Sequence, residues 1–317
     1  MTSTPLVAAG AGVLPGGSRP RGSGFRRNRR RTTFLAYGFA LPFILSFAVF
    51  MVFPLISSLL MSFTDFRNTD IPNPLNVGFV GLEQYTNLFQ NEQFVRSLLN
   101  TLYFVAVGIP LTMVVALTLA LALNNGITRF RSAFRVGFYT PVVTSIVAVA
   151  VVWRFILQPD GLLNNALGVV GISGPDWLND PVWAMPAMIM LAVWRNMGTL
   201  MIIFLAGLQN VSAEVLEAAE VDGAGSWKRF WHITFPLLRP TLLLGAVLLS
   251  VGFLQFFEEP FVMTKGGPLN STLSISYFTF NQFGFGNYGT ASAASYVLFV
   301  AIALLSLVQF RAFRSKE

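Results

Sequence analysis

Residues 32–64 form a run without one charged side chain, longer than the roughly 20 apolar residues that a helix needs to cross a bilayer. Lipid offers no partners to backbone polar groups, so a run of this kind has to be helical. Five further stretches that are apolar and long enough to cross begin at Asn100, Phe138, Val182, Thr241 and Ala291. The sequence therefore predicts an all-α integral membrane protein with six transmembrane helices.

Some stretches depart from this pattern in composition. The second and third apolar stretches contain proline, which a membrane helix can accommodate as a kink. Residues 271–283 are too short and too polar to span a membrane, so we expect a loop there. A secretory signal is the alternative for the first stretch, but its apolar region would be about 7 to 15 residues long. An uncleaved first helix is therefore favoured.

The composition excludes several other classes of protein. Of the 317 residues 54% are hydrophobic and 11% are charged, whereas a soluble domain has about a quarter charged residues. Cysteine is absent, which removes disulfides and thiolate metal sites, and no metal site is predicted. The net charge of +7 at first suggests nucleic acid as a partner. Its distribution along the chain has another explanation, so no nucleic acid is expected.

Lysine and arginine are unevenly divided between the two sides of the predicted membrane domain. Sixteen lie in the N-terminal tail, the C-terminus and the loops on the same side, and three lie on the other side. Basic loops are typical of the cytoplasmic side. Both termini are therefore predicted to be cytoplasmic. We expect residues 1–31 to be a disordered basic tail, followed at 32–317 by the six-helix domain with a cytoplasmic loop at 208–239.

The loop at 208–239 is charged although it lies between two apolar stretches. Ser212 is placed to cap one short helix, Gly223 to end it in a left-handed turn, and Ser226 to cap a second helix running toward Pro236. The segment could be an interfacial helix at the lipid headgroups. Its acidic residues would however be repelled by an anionic leaflet, which favours a protein partner.

Ten residues of this loop match, at fixed spacing, the EAA pattern of permease subunits of bacterial ATP-binding cassette importers: Glu217, Ala218, Ala219, Asp222, Gly223, Ala224, Phe230, Ile233, Pro236 and Pro240. Five other segments resemble the maltose-type, carbohydrate-importing branch of that family: 79–89, 100–101, 159–164, 264–272 and 288–295. The resemblance covers the chain after the N-terminal tail. It implies the type I importer fold in the bacterial cytoplasmic membrane.

The resemblance also implies a division of labour. A second, similar permease, two ATPase subunits and an external solute-binding protein would be the partners. The ATPases would bind ATP and Mg²⁺, because this chain lacks the phosphate-binding pattern GxxxxGK[ST] and is not expected to be an enzyme. The segment docking on the ATPase would contain Glu217, Ala218, Ala219, Asp222, Gly223 and Ala224, with Glu217 paired to a basic residue.

In this family the sugar lies between the helices before and after the coupling loop. Asn196 and Thr199 share one face of the fourth helix. Ser250, Phe253 and Phe256 share a broad face of the fifth helix. Amides and hydroxyls can bind sugar hydroxyls and aromatic rings can cover a sugar face, so these five residues are the predicted substrate site. Phenylalanines at helical spacing are also typical of packing, and Asn or Thr often bridges helices.

Three charged residues lie within or near these helices. Arg195 is near the middle of the fourth helix, where a charge usually faces a cavity or a partner. Glu258 and Glu259 lie near the outer end of the fifth helix and would face the cavity or mark the interface. The alternatives to sugar import are uptake of glycerol phosphate or another polar solute, and an ion-coupled secondary transporter. Midplane acids, typical of ion coupling, are not evident in the sequence.

Overall fold

The computed structural model describes residues 25–73, 77–126 and 130–313. Fifteen α-helices occur in these ranges: α1 Phe25–Phe47, α2 Phe53–Met61, α3 Glu83–Gln90, α4 Glu92–Leu121, α5 Arg131–Val143, α6 Ile146–Ile156, α7 Leu162–Val169, α8 Ala184–Gln209, α9 Ala213–Val221, α10 Ser226–Arg229, α11 Phe235–Leu237, α12 Arg239–Leu254, α13 Glu258–Met263, α14 Ile275–Gly284 and α15 Tyr288–Phe313. Within these ranges the structure has no β-strand beyond an isolated bridge between Thr64 and Phe79.

Five helical stretches in the described ranges are long and apolar enough to cross a membrane: Thr33–Met61, Glu92–Asn124, Ala184–Gln209, Arg239–Met263 and Tyr288–Ala312. The helices α5 and α6 form a sixth candidate that is bent by 100° between Val143 and Ile146. The predicted all-α membrane fold with up to six spans is confirmed.

The third predicted span is not the single kinked helix that the sequence suggested. Thr144 and Ser145 have extended backbones, with ψ of 150° and 124°, and separate α5 from α6. Pro141 removes one helical N–H and its ring crowds the preceding turn. The Thr144 hydroxyl donates to the Pro141 carbonyl at 2.6 Å, which satisfies one of the carbonyls left open at the break.

The chain divides into two compact units, one ending at Ile56 and the other beginning at Ser57. In the first unit α1 begins at Phe25, so residues 25–31 of the predicted disordered tail are helical. Residues 1–24 lie outside the described ranges. The helix continues past Pro42 and leads through a π-helical turn at Ala48–Val52 into α2.

In the second unit α4 packs against both α8 and α12. Buried residues of α4 recur every three or four positions, which makes one continuous face. Many of them are small, and Gly108 lies so close to α12 that an added Cβ would be 2.7 Å from the Phe253 ring. Small residues let membrane helices approach closely and gain dispersion energy. The core is built on this close approach.

The segment at 271–283, expected to be a loop, is mostly helical. It contains α14, whose N-terminus is capped by Ser274 accepting from the Tyr277 N–H at 3.1 Å. Asn100 on α4 donates to the Asn270 and Leu273 carbonyls at 2.7 and 3.0 Å, and Thr101 accepts from the Ile275 N–H at 3.1 Å. Two of the segments that resemble the importer family thus bind each other.

Candidate functional site

The coupling loop, residues 208–239, changes direction where α9 ends. Gly223 has φ of +77°, its N–H donates to the Glu220 carbonyl at 3.0 Å, and the Ala224 N–H donates to the Ala219 carbonyl at 2.9 Å. This pair of bonds is the Schellman motif, which ends a helix through one left-handed residue. The predicted left-handed turn at Gly223 is confirmed.

The geometry of this turn is consistent with the small residues of the EAA pattern. Ala219 and Ala224 flank the turn, and Ala219 is buried while Ala224 is half-buried. A small apolar contact between these two positions commonly accompanies a Schellman motif. Glu217, Ala218 and Asp222 are exposed and form an acidic surface on the outside of the bend. This surface is available for a partner.

The helices on either side of the bend begin differently from the prediction. Ser212 precedes α9 with ψ of 132°, but its side chain makes no capping bond. Gly225, rather than Ser226, precedes α10, and its carbonyl accepts from the Arg229 N–H at 2.9 Å. Glycine is acceptable at this position because it meets the extended backbone without steric cost.

An ion pair joins the two sides of the bend. Arg229 Nη1 donates to Glu220 Oε2 at 2.6 Å, with 25% and 69% of the respective side chains exposed. An exposed pair of this kind contributes less than about 1 kcal/mol to stability. The pair connects α9 to α10 across the bend.

The five predicted substrate residues fall into two groups. Asn196 and Thr199 are half-buried on α8, and Asn196 Nδ2 donates to the Ala192 carbonyl at 2.8 Å. Ser250, Phe253 and Phe256 are buried in the interior of the chain. In this conformation only the first group is partly exposed.

The interior group is held by aromatic stacking and by a hydrogen bond. The Phe256 ring stacks on Phe104 with centroids 4.0 Å apart and planes 7° apart, and Phe253 lies 5.0 Å from the same ring. Ser250 donates to the Ala246 carbonyl at 2.7 Å and accepts from Gln309 at 2.5 Å. These contacts make Phe104 and Gln309 part of the site's support. A direct contact with solute stays a prediction for this group.

A cavity lined in part by aromatic side chains lies beside α8 and was missed in the sequence. It has a volume of about 410 Å³, and Tyr103, Trp153 and Trp194 line it with several aliphatic residues. The Trp153 and Trp194 rings are 5.6 Å apart. Tryptophan is enriched at the ends of membrane helices, but Trp194 lies near the middle of α8. That unusual position was a signal in the sequence.

The charged residues of these spans differ in how deeply they are buried. Glu259 is buried, and its Oε2 atom makes no hydrogen bond within the described ranges, whereas Glu258 is exposed. Arg195 is half-buried, and its Nε is buried without a hydrogen-bond partner within the described ranges. The alternatives of a cavity-facing and a structurally paired Arg195 therefore both stay predictions.

The main features of the described structure are thus several helices that could span a membrane and an exposed bent loop between two of them. Residues 9–315 match the family described as the binding-protein-dependent transport system inner membrane component. The chain belongs to this family, and is a multi-pass inner-membrane permease subunit of an ABC transport system.

Relatives of the chain carry similar descriptions. It is 36% identical over 285 residues to the lactose transport system permease protein LacF of Rhizobium radiobacter, covering 88% of this chain and 94% of that protein. It is 34% identical over 303 residues to the arabinooligosaccharides transport system permease protein AraP of Bacillus subtilis (strain 168), covering 94% and 95%. A solved bacterial alginate ABC transporter, in complex with an alginate pentasaccharide-bound periplasmic protein, contains a similar chain with TM-score 0.77 and 26% identity, covering 90% of this chain and 96% of that chain.

Proposed function

We propose that this subunit imports a sugar or oligosaccharide, which an external binding protein delivers and which ATPase subunits drive through the membrane. The observation that carries the proposal is the acidic bend at Glu217–Asp222, held open by the Schellman motif at Gly223. The relatives named for lactose and arabinooligosaccharides support the choice of solute. A second, similar permease would complete the membrane pathway.

Coupling in this proposal is mechanical. The ATPases bind ATP and Mg²⁺ and close on each other, and the docked α9 transmits that movement to the spans on either side. Glu217 pairs with a basic residue of the ATPase, while Ala218 lets the two surfaces approach closely. Rigid-body motion of this kind shifts the permease between inward-open and outward-open states. The uneven distribution of Lys and Arg supports a cytoplasmic location for the coupling loop and for both termini.

The solute path in this proposal runs along α8. Asn196 Oδ1 and the Thr199 hydroxyl offer polar contacts for sugar hydroxyls, and Trp194 offers an apolar ring for a sugar face. Ser250, Phe253 and Phe256 reach the solute only in a state that opens their interior packing. Arg195 is the single cation on α8, and a phosphate would favour several cations in the path, so a neutral solute is favoured.

Charge reversal of the proposed docking residue tests the coupling. We expect Glu217→Lys to lower sugar uptake at least about tenfold while ATP hydrolysis by the assembled transporter continues, because the docking charge is inverted. Glu214→Lys is the matched control, since Glu214 is an exposed acid of the same helix outside the EAA pattern. Uptake by proteoliposomes and phosphate release measure both quantities. Full uptake by Glu217→Lys would remove this residue from the coupling surface.

Truncation of the polar α8 residue tests the solute path. Asn196→Ala should raise the apparent KM for the transported sugar about five- to thirtyfold, the effect of one lost hydrogen bond of roughly 1–2 kcal/mol. Thr140→Val is the control, because the exposed Thr140 hydroxyl bonds the Val136 carbonyl of its own helix at 2.7 Å and no other group in the described part of the chain. Uptake measured at several sugar concentrations distinguishes the two. An unchanged KM in Asn196→Ala would exclude it from the path.

A further inference from the structure

A large groove lies at one end of the spanning helices, beside the coupling loop. Its volume is about 930 Å³. Apolar side chains from the last turns of α4, from the end of α8 and from α9 to α11 dominate its lining, among them Val114, Leu121, Leu208, Leu216, Trp231 and Phe235. We call it the aromatic groove. The acidic surface of α9 lies on the outside of the bend and is not part of it.

The rim of the groove consists of tryptophan and phenylalanine from the segment after the bend. Trp227 and Trp231 lie 5.7 Å apart, Trp231 and Phe235 lie 5.1 Å apart, and Phe230 lies 6.1 Å from Phe235. Trp227 is 76% exposed and Trp231 is 44% exposed. Exposed Trp at the end of membrane helices is typical of the level of the lipid headgroups.

The depth of the groove matches one leaflet of a bilayer. Its lining extends on α4 from Asn124, at the end of the candidate span, back to Val114. Ten residues of α-helix rise about 15 Å, which is half of the roughly 30 Å hydrocarbon thickness. Val114 is 61% exposed at the deep end. A groove open at this depth borders acyl chains rather than water.

Cationic groups lie where the headgroup would be. Arg229 lines the groove, and Arg131 Nη2 donates to the carbonyl of Asn124, another lining residue, at 3.0 Å. Lys228 is exposed next to Arg229. Glu220 is bonded to Arg229. The guanidinium group carries five N–H donors in a planar arrangement, which is suited to a phosphate.

From this combination we infer that the aromatic groove binds an anionic phospholipid of the adjacent leaflet. One acyl chain lies along α4 toward Val114, the phosphate lies near Arg131 and Arg229, and the Trp227 and Trp231 rings lie beside the glycerol region. The sequence allowed two interpretations of the whole charged segment, a protein surface or a lipid surface. In this inference the charged segment has both kinds of surface: α9 faces a protein partner, and α10–α11 face lipid.

Fluorescence quenching by brominated lipid tests this inference without any transport assay. The full chain is placed in nanodiscs containing equal fractions of phosphatidylglycerol or phosphatidylcholine with acyl chains dibrominated close to their glycerol end. We expect phosphatidylglycerol to quench tryptophan emission at least about twofold more strongly. The excess should disappear in Trp227→Phe/Trp231→Phe, which keeps aromatic rings at both positions. Equal quenching by the two lipids would overturn the inference.

A second pair of variants tests the groove without altering tryptophan. Val114→Phe narrows the deep end and should lower the number of phosphatidylglycerol molecules retained in native mass spectrometry, while Leu99→Phe should leave it unchanged. Leu99 is an exposed apolar residue near the other end of α4. Arg131→Gln should likewise lower retention relative to Arg96→Gln, an exposed arginine at that other end. Unchanged retention in Val114→Phe and Arg131→Gln, or a protein cross-linked into the groove, would contradict the assignment.

Discussion

Gly223 and Gly225 lie two residues apart in the coupling loop, but their backbones differ in handedness. Gly223 has φ of +77° and Gly225 has φ of −64°, and an added Cβ would meet nothing within 4 Å at either position. Any cost of substitution at Gly223 is therefore a backbone cost and not a steric clash with neighbours. Substitutions at these two glycines therefore separate the effect of backbone conformation from that of steric crowding.

Alanine at each of these positions gives a direct comparison. We expect Gly223→Ala to destabilise the bend by about 1–2 kcal/mol, because a side chain is disfavoured in the left-handed region. The expected change for Gly225→Ala is smaller, about 0.5–1 kcal/mol, because its extended backbone accepts a side chain and only the N-cap preference for glycine over alanine is lost. The ratio of sugar uptake to ATP hydrolysis measures the functional effect, and it should fall in Gly223→Ala alone. Equal ratios in the two variants would show that the left-handed turn is not needed for coupling.

At the level of single residues, the sequence was most informative where one backbone conformation was required. Gly223 was predictable because a helix that stops inside a short loop needs a left-handed residue, and glycine accepts it at little cost. Gly225 was not, because serine usually leads at helix N-termini and Ser226 follows directly. The Phe256–Phe104 stacking was not predictable either, since phenylalanine spacing on one helix does not identify its partner helix.

At the level of helices, close backbone contacts fix the pairing of α5 with α8. A Cβ added at Gly198 on α8 would lie 2.1 Å from the Phe138 carbonyl oxygen on α5. A backbone atom cannot rotate away as a side chain can, so the two helices would have to separate. Helix pairs in membranes depend on such small residues for their dispersion contacts.

Alanine at Gly198 should therefore separate α5 from α8. We expect Gly198→Ala to lower the free energy of unfolding by about 1–3 kcal/mol, the usual cost of overpacking. Gly137→Ala on α5 is the control, because its added Cβ meets nothing within 4 Å. That variant should gain slightly from the better helix propensity of alanine. Thermal unfolding of the purified chain measures both, and a Gly198→Ala protein as stable as Gly137→Ala would show that the contact is not tight.

The helices also show where patterns in the sequence were insufficient. Apolar content identified all the spanning segments, but it could not reveal that Thr144 and Ser145 break the third span by 100°. Residues 271–283 lack the length for a span, which predicts a loop. In the structure they are mostly helical, and Asn100 and Thr101 form hydrogen bonds at and just before the start of α14. Hydrophobicity indicates which segments enter a membrane, whereas hydrogen bonds over long sequence separations determine the remaining helices.

At the level of the whole molecule, the coupling loop carries two different contact surfaces, one acidic and one aromatic. The acidic outside of α9 and the aromatic segment after it lie on either side of Gly223 and are joined by the Glu220–Arg229 ion pair. Movement of a docked ATPase would reach α8 through the start of the loop and α12 through its end. The remaining spans would follow through the tight contacts of α4 and α5 with α8. Coupling between the ATPase and the spans therefore depends on which protein contacts α9.

The absence of cysteine in the chain makes that contact directly measurable. Ala218→Cys places a single thiol on the exposed face of α9, and Leu99→Cys places one near the far end of α4. Each is labelled with a benzophenone maleimide in the assembled transporter and irradiated, and the adducts are identified by mass spectrometry. We predict that Ala218→Cys forms an adduct with an ATP-binding subunit, with a yield that changes when ATP is added, and that Leu99→Cys does not. If the benzophenone on Ala218→Cys formed adducts only with lipid, or only with the external binding protein, coupling through α9 would be contradicted.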